Sequence, residues 1–409
     1  MRTLLADSRV SRLLLANMAS SVGSGITIVA VPWLLVQREG GERLYGYVTI
    51  LTTLVMFLII PHYGAWLDHH SRKAILLAGE AFGALAAGSM ALWAAITGEV
   101  AAWQLLVSYF CGMLYYSLHF PAKFAFMQQI FERKHYQTLT GLIEIQSQTA
   151  SMLAGGLAAV LLDHVSLATI LFIDAATYLF SLGVQASIPY AATPRVLRQA
   201  AGTWHAMVEG WRWLRAHPKL TWFFLCTYVP FIAVMVSNYL FPIYVTHVLQ
   251  AASDVYGQGE IAFAAGALLA GLLIPALATR HGVDRTIVYT MAMFIVGLLT
   301  LAIAPSTWLY FPALFVLGIG NAGSRVARSA LVLTLVPNHV IGRVQLFFSA
   351  WDRCLRTILI SVVTVLVSRH DASLGFGLLV VVVSTAFAGM LVTRRSARIA
   401  GAPIATATG

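Results

Sequence analysis

Charge is scarce in this chain, acidic charge most of all: 16 Asp and Glu stand against 26 Lys and Arg in 409 residues, and charged residues make up only 10%. A soluble domain carries about 25%. With 59% hydrophobic residues and a mean hydropathy of +0.79, the composition excludes one. Cysteine is nearly missing too. Cys111, Cys226 and Cys354 each fall inside an apolar stretch, which leaves no disulfide framework and no clustered thiolate site. His62, His69 and His70 have no carboxylate pair at ligand spacing, so neither a metal nor any other cofactor is expected. A Walker A loop is missing, which argues against an ATP-driven pump. The literal G-x-G-x-x-G at Gly318–Gly323 follows no strand and lies within an apolar run; its small residues suit close helix approach instead of a dinucleotide.

What is there is apolar length. A spanning helix needs about 20 apolar residues, and about twelve such segments begin near residues 11, 45, 74, 102, 138, 168, 220, 256, 286, 309, 343 and 374. The first continues to about Val36, longer than the roughly 7 to 15 apolar residues of a secretion signal, and is read as a retained span. With both termini inside, roughly 18 of the 26 Lys and Arg fall in inner segments, and only Arg38, Arg43 and Arg369 fall outside, the positive-inside pattern. The net charge of +10 thereby reflects topology, and no nucleic-acid partner is expected. The expected location is a bacterial inner membrane, crossed many times, with both termini cytoplasmic.

The longest polar interruption, residues 191–219, divides a first group of six spans (1–190) from a second (220–393), with a tail at 394–409. Inside it Trp204, Met207, Val208, Trp211 and Leu214 recur at helical spacing among Arg212, Arg215 and Lys219. That predicts an amphipathic helix on the inner leaflet; a plain linker is the alternative. The halves echo each other, since Lys123 lies nine residues before Glu132 and Arg328 nine before Pro337.

The loop after the second span, Gly64-Ala65-Trp66-Leu67-Asp68-His69-His70-Ser71-Arg72-Lys73, resembles the signature loop of the major facilitator superfamily: a Gly, an Asp, then a basic cluster. His69 stands where Arg or Lys is usual and Ser71 where Gly is usual. The resemblance implies a gating loop in which Gly64 permits close helix approach, Asp68 meets a donor at the helix mouth, and Arg72 and Lys73 hold the loop inside. Phe172-Ile173-Asp174-Ala175, Glu209-Gly210-Trp211-Arg212-Trp213-Leu214, Val336-Pro337 with Ile341-Gly342-Arg343-Val344, and Pro121-Ala122-Lys123-Phe124 with Gly141-Leu142-Ile143-Glu144 resemble the drug:proton antiporter branch that holds macrolide-efflux proteins, the enterobactin exporter and the lysophospholipid transporter. Two departures stand out: no acid lies near Ser24 in the first span, and Ala154-Gly155-Gly156 lacks the usual Pro of the exporter motif. Most of the chain takes part in the resemblance. It implies an all-α membrane protein of twelve transmembrane helices in two pseudo-symmetric six-helix bundles, with solute held between them near the midplane.

Five cations lie inside the spans: Lys123, Arg325, Arg328, Arg353 and Arg356. A charge at that depth costs about 3 kcal/mol or more, so each is expected to face protein or water. Lys123 and Glu144 sit about six residues into the fourth and fifth spans from the inner loop. Antiparallel neighbours would bring them to one depth, as a helix staple or a transport pair. Arg325 and Arg328 are three apart, as are Arg353 and Arg356, with Asp352 one turn from Arg356; one carboxylate neutralises one guanidinium. The surplus suits a carboxylate or phosphate ligand in a cavity walled also by Tyr116, Asn238, Tyr239 and Trp351, unless the arginines snorkel or bond main-chain carbonyls. Membrane-depth acids are candidates for proton coupling: Asp352 and Glu144 first, each with a cation nearby, then Glu80 and Asp174, read first as structural because they lie near predicted helix ends. His119, one turn from Lys123, is either a proton relay or a packing histidine.

The combined expectation is a monomeric secondary transporter, not an enzyme. It moves a small anionic or amphiphilic compound, such as a siderophore, outward by proton antiport and alternating access. A broad macrolide-type drug exporter with structural arginines is the alternative, as is a lysophospholipid transporter. A membrane enzyme acting on lipid head groups would need a nucleophile beside a base, which the sequence does not offer.

Overall fold

A computed structural model describes residues 7–98, 100–132, 135–190, 203–336, 340–369 and 371–400. Among them are thirteen α-helices and no strand. The first six are α1 (Ser8–Val36), α2 (Gly41–His69), α3 (Arg72–Thr97), α4 (Ala102–Ile130), α5 (Tyr136–His164) and α6 (Leu167–Ala186). A short α7 (Thr203–Ala216) precedes α8 (Pro218–Ile243), α9 (Ser253–His281), α10 (Val283–Ile303), α11 (Thr307–Leu335), α12 (Ile341–Val367) and α13 (Ala372–Ala400). Local chemistry sets several ends. Ser71 Oγ caps the start of α3 and Ser166 Oγ that of α6, while Gly98, at φ 70°, stops α3 in the left-handed conformation glycine tolerates.

Nine of the long helices among the described residues are long and apolar enough to cross a membrane. The other three long ones, α4, α11 and α12, carry Lys123, Arg325 with Arg328, and Asp352 with Arg353 and Arg356. Their charged and polar side chains lower the mean hydropathy, and such helices belong where protein or water faces them.

The chain divides into two compact units, Met1–Gln199 with Phe241–Ala264, and Ala200–Leu240 with Ala265–Gly409. In the first, α1 runs beside α4, α5 and α6, while α3 runs beside α4 and α6. Close approach needs glycine: a Cβ on Gly83 of α3 would lie 2.8 Å from the Tyr178 ring, and one on Gly155 of α5 would lie 2.9 Å from the Gly257 carbonyl at the start of α9. Trp33 stacks on Tyr256 at 5.6 Å beside that contact. In the second unit α10 runs beside α11 and α13, and α12 beside α7 and α13. Gly320 of α11 backs onto Phe294 of α10, where a Cβ would meet the main-chain nitrogen at 2.7 Å. The glycine-rich run is therefore a helix contact. The side chains of Trp204 and Met207 lie outside the described residues, but α7 is anchored on protein along one side: Leu214 is fully buried and Trp211, itself partly exposed, stacks on Phe347 of α12 at 5.1 Å.

Candidate functional site

Asp174, Tyr178, Ser181 and Gln185 of α6 are spaced four, three and four apart, so they share one face of an otherwise apolar helix. Asn17, Ser20, Ser24 and Thr27 form a similar stripe on α1, and all eight are buried. Glu80 of α3 lies against this polar surface with no exposure at all. Its Oε1 accepts hydrogen bonds from Tyr115 Oη at 3.1 Å, Ser181 Oγ at 2.9 Å and Gln185 Nε2 at 2.7 Å. Its Oε2 has no partner among the described residues. His119 lies between two elements, with Nε2 3.4 Å from Asn17 Oδ1 and Nδ1 3.6 Å from Glu80 Oε1, too far for a hydrogen bond. Asp174 accepts from Thr27 Oγ1 at 2.6 Å on Oδ2, and its Oδ1 is unpartnered among the described residues. Neither acid is at a helix end: about two turns precede Glu80 in α3 and Asp174 in α6.

Cavities adjoin these groups. A void of about 20 Å³ touches Asp174, Thr27, Ser108 and Cys111. Another, about 190 Å³, is lined by Tyr63, Phe82, Tyr115 and His119. A wider cavity of about 370 Å³ beside Asp7, Arg9 and Glu132 touches none of the expected site residues.

In the second unit the arginines are engaged. Arg328 of α11 is buried, donates from Nη1 to the Thr227 carbonyl at 2.8 Å, and lies 3.8 Å from the centroid of the Tyr228 ring. Tyr228 in turn donates to Gln345 Oε1 at 3.0 Å and stacks on Phe348 of α12 at 4.7 Å. Arg356 pairs with Asp352 through Nη2 at 2.7 and 2.5 Å and sits 5.8 Å from the Phe231 ring centroid. Arg353 donates to the Ser349 carbonyl at 3.2 Å. A guanidinium stacked on an aromatic face and bonded to a carbonyl has much of its donor capacity and desolvation met without a ligand.

The other expected residues are dispersed. Lys123 is buried, 5.6 Å from the Phe120 ring centroid. The side chains of Glu144 and Asp68 and the surroundings of Gly64 lie outside the described residues. Arg72 donates to the Ala125 carbonyl at 2.6 Å, and Lys73 to the Ala186 and Ile188 carbonyls at 2.7 Å. Tyr116 and Asn238 are exposed, Tyr239 is buried, and Trp351 Nε1 and Asn321 Oδ1 are buried without partners among the described residues. Arg325, on α11, is half-buried. Sequence reasoning missed Ser181, Gln185, Thr27 and Asn17 as partners of the acids. The signal was present in the helical spacing of polar residues within two apolar segments. It missed Thr227 because a main-chain acceptor carries no side-chain signature.

A family model described as the Major Facilitator Superfamily matches residues 13–355. Macrolide efflux protein A of Streptococcus pyogenes is 24% identical over 286 residues, 68% of this chain and 68% of that protein. Multidrug efflux pump Tap of Mycobacterium tuberculosis is 24% identical over 346 residues, 81% of this chain and 80% of that protein. Among solved structures, a bacterial homologue of the iron transporter ferroportin in an inward-facing state aligns with TM-score 0.71 at 15% identity, covering 96% of this chain and 98% of that one. The nucleoside transporter NupG aligns with TM-score 0.63 at 14% identity, covering 96% and 99%. At such identities these two structures speak to the fold alone.

Proposed function

This chain belongs to the major facilitator superfamily, a multi-pass membrane transporter of small molecules and not an enzyme, and from that premise we propose that it exports amphiphilic drug-like compounds of the macrolide or multidrug kind in exchange for protons. The observation that carries the choice of substrate is the engagement of Arg328, Arg353 and Arg356 by a carbonyl, a ring or a carboxylate of their own unit. Donor capacity of these three that would otherwise favour an anion is thereby met internally. The efflux proteins among the relatives support the same direction. Proton coupling is supported by Glu80 and Asp174, buried acids that each keep one oxygen without a donor among the described residues. Asp352, through its pair with Arg356, and Glu144 stay in the candidate set. Tyr116, Asn238, Tyr239 and Trp351 are the proposed amphipathic contacts for a bulky substrate, and Gly64, Asp68, Arg72 and Lys73 the gating loop. The working unit is a monomer in a bacterial inner membrane, moving its substrate by alternating access. A siderophore-like or lipid-like anion is the second reading, favoured by the concentration of Arg325, Arg328, Arg353 and Arg356 on two helices with Lys123 on a third.

Expression in a host stripped of its own exporters separates the two. Tolerance to erythromycin and ethidium should rise, and the Arg325→Gln/Arg353→Gln double variant should keep it within about twofold, less than about 0.5 kcal/mol. No rise in tolerance, with an exported siderophore whose efflux collapses in the double variant, would overturn the drug reading in favour of the anion.

A further inference from the structure

Resting on the proton-coupled reading above, we propose that Asp174 and Glu80 are two stations of one proton relay that runs along a single face of α6 inside the first unit, with the void at Asp174 as its water port.

The port comes from what surrounds Asp174. The void has room for about one water, for which roughly 10 to 15 Å³ suffices. Two buried oxygens of its wall have no partner among the described residues, Asp174 Oδ1 and Ser108 Oγ, and their residues are only 3% and 7% exposed. A water between them would satisfy both. The space exists because its walls are small, with Gly83 and Ala87 from α3 and Gly112 from α4. Thr27 of α1 holds the other Asp174 oxygen and so leaves Oδ1 to the port.

Glu80 lies further along the same helix face. Ser181 and Gln185, which hold it, are seven and eleven residues beyond Asp174, or about 10 to 16 Å along the axis. Tyr178 sits on the stripe between them. Its ring meets that of Tyr115 edge to face at 4.6 Å, and Tyr115 Oη donates to Glu80 Oε1. His119, beside Glu80 and stacked on Tyr115 at 4.9 Å, lines the separate cavity of about 190 Å³. Each station therefore adjoins its own opening. The groups that face the relay are Cys111, Tyr115, His119 and Lys123 from α4 and Tyr178 from α6, while α1 offers only neutral Asn17, Ser20, Ser24 and Thr27.

The step balances without a co-reactant. A hydrated proton in the port protonates the Asp174 carboxylate. The acid then gives a proton toward Tyr178 as the hydroxyls of Tyr178, its partner Ser24, Ser20 one turn away on α1, and Tyr115, each gaining one proton and losing its own, deliver one to Glu80. Asp174 ends as carboxylate and Glu80 as neutral acid, which discharges past His119.

Everted vesicles carrying the full chain, with ethidium as the probe and a pH dye, test this. Asp174→Asn and Glu80→Gln should each cut proton-driven ethidium transport by about tenfold while the ethidium dissociation constant stays within about twofold, and the double variant should be no worse than the worse single, since stations in series do not add. Ser108→Ala should slow coupling in the same way by removing one partner of the port water, and it remains decisive if an acid variant fails to fold, because Ser108 Oγ has no hydrogen-bond partner among the described residues to lose. Exchange at the wild-type rate in Asp174→Asn or Ser108→Ala, or losses that multiply in the double variant, would overturn the relay alone. Absence of any proton exchange in the wild type would overturn the coupled reading with it.

Discussion

A guanidinium inside a helical bundle is held by whatever oxygen or ring lies within reach, and the partner decides what its loss does. Arg356 and Asp352 pair within one helix, with side chains only 18% and 12% exposed. Removing one charge strands the other, and halving a buried pair costs about 3 kcal/mol or more. Asp352→Asn should therefore lower the unfolding temperature in detergent clearly, and Asp352→Asn/Arg356→Gln should recover part of the loss. A double variant less stable than both singles would show that the pair makes contacts beyond itself. This pair was legible in the sequence, because residues four apart on a helix meet. The Arg328 bond to the Thr227 carbonyl was not legible, since its acceptor is a main-chain oxygen 101 positions away. The pairing of Glu80 with Ser181 and Gln185 lay between these cases. The stripe on α6 was readable by spacing, but which acid would lie against it depended on how α3 docks.

At the level of elements, the apolar pattern identified where the long helices run but not what their quieter residues do. In α7 the alternation of tryptophans and arginines pointed to a membrane surface, yet the element is also tied to α12. The tie is a glycine: a Cβ on Gly210 would fall 2.5 Å from the Arg343 carbonyl oxygen and 2.7 Å from its carbon. Both are backbone atoms, so they cannot swing aside. Glycine is silent in a hydrophobic pattern, which is why this contact was invisible. Gly210→Leu should push α7 off α12, weaken the Trp211–Phe347 stack, and raise the rate of limited proteolysis in the polar connector by about tenfold, the effect of about 1.4 kcal/mol in local opening. Unchanged cleavage would mean that the two helices separate without cost. The same blindness applies to Gly155 and Gly257, whose mutual approach in the first unit is not signalled by any apolar pattern.

For the whole molecule, the distribution of basic side chains and the docking of helix ends point to the same orientation. Arg9 donates to the Ile130 carbonyl and Arg12 to the Ser187 carbonyl, while Arg72 and Lys73 reach Ala125, Ala186 and Ile188. Four cations at the starts of α1 and α3 thus bond carbonyls within the last two turns of α4 and at the end of α6, near where the helix dipole also favours positive charge. One face of the first unit is therefore basic for a structural reason. The opposite face, at the turn between α1 and α2, carries Arg38 and Arg43 beside Glu39 and Glu42, so its charges cancel. A membrane protein keeps its uncompensated basic segments in the cytoplasm, so the Arg72–Lys73 loop is expected inside and Glu39 outside. With Cys111, Cys226 and Cys354 replaced by serine or alanine, Glu39→Cys should react with a membrane-impermeant maleimide in intact cells, and His70→Cys only after permeabilisation. The reverse pattern would invert the molecule, and with it the side of the membrane from which Asp174, on α6 nearer the Glu39 face than Glu80 is, receives its proton.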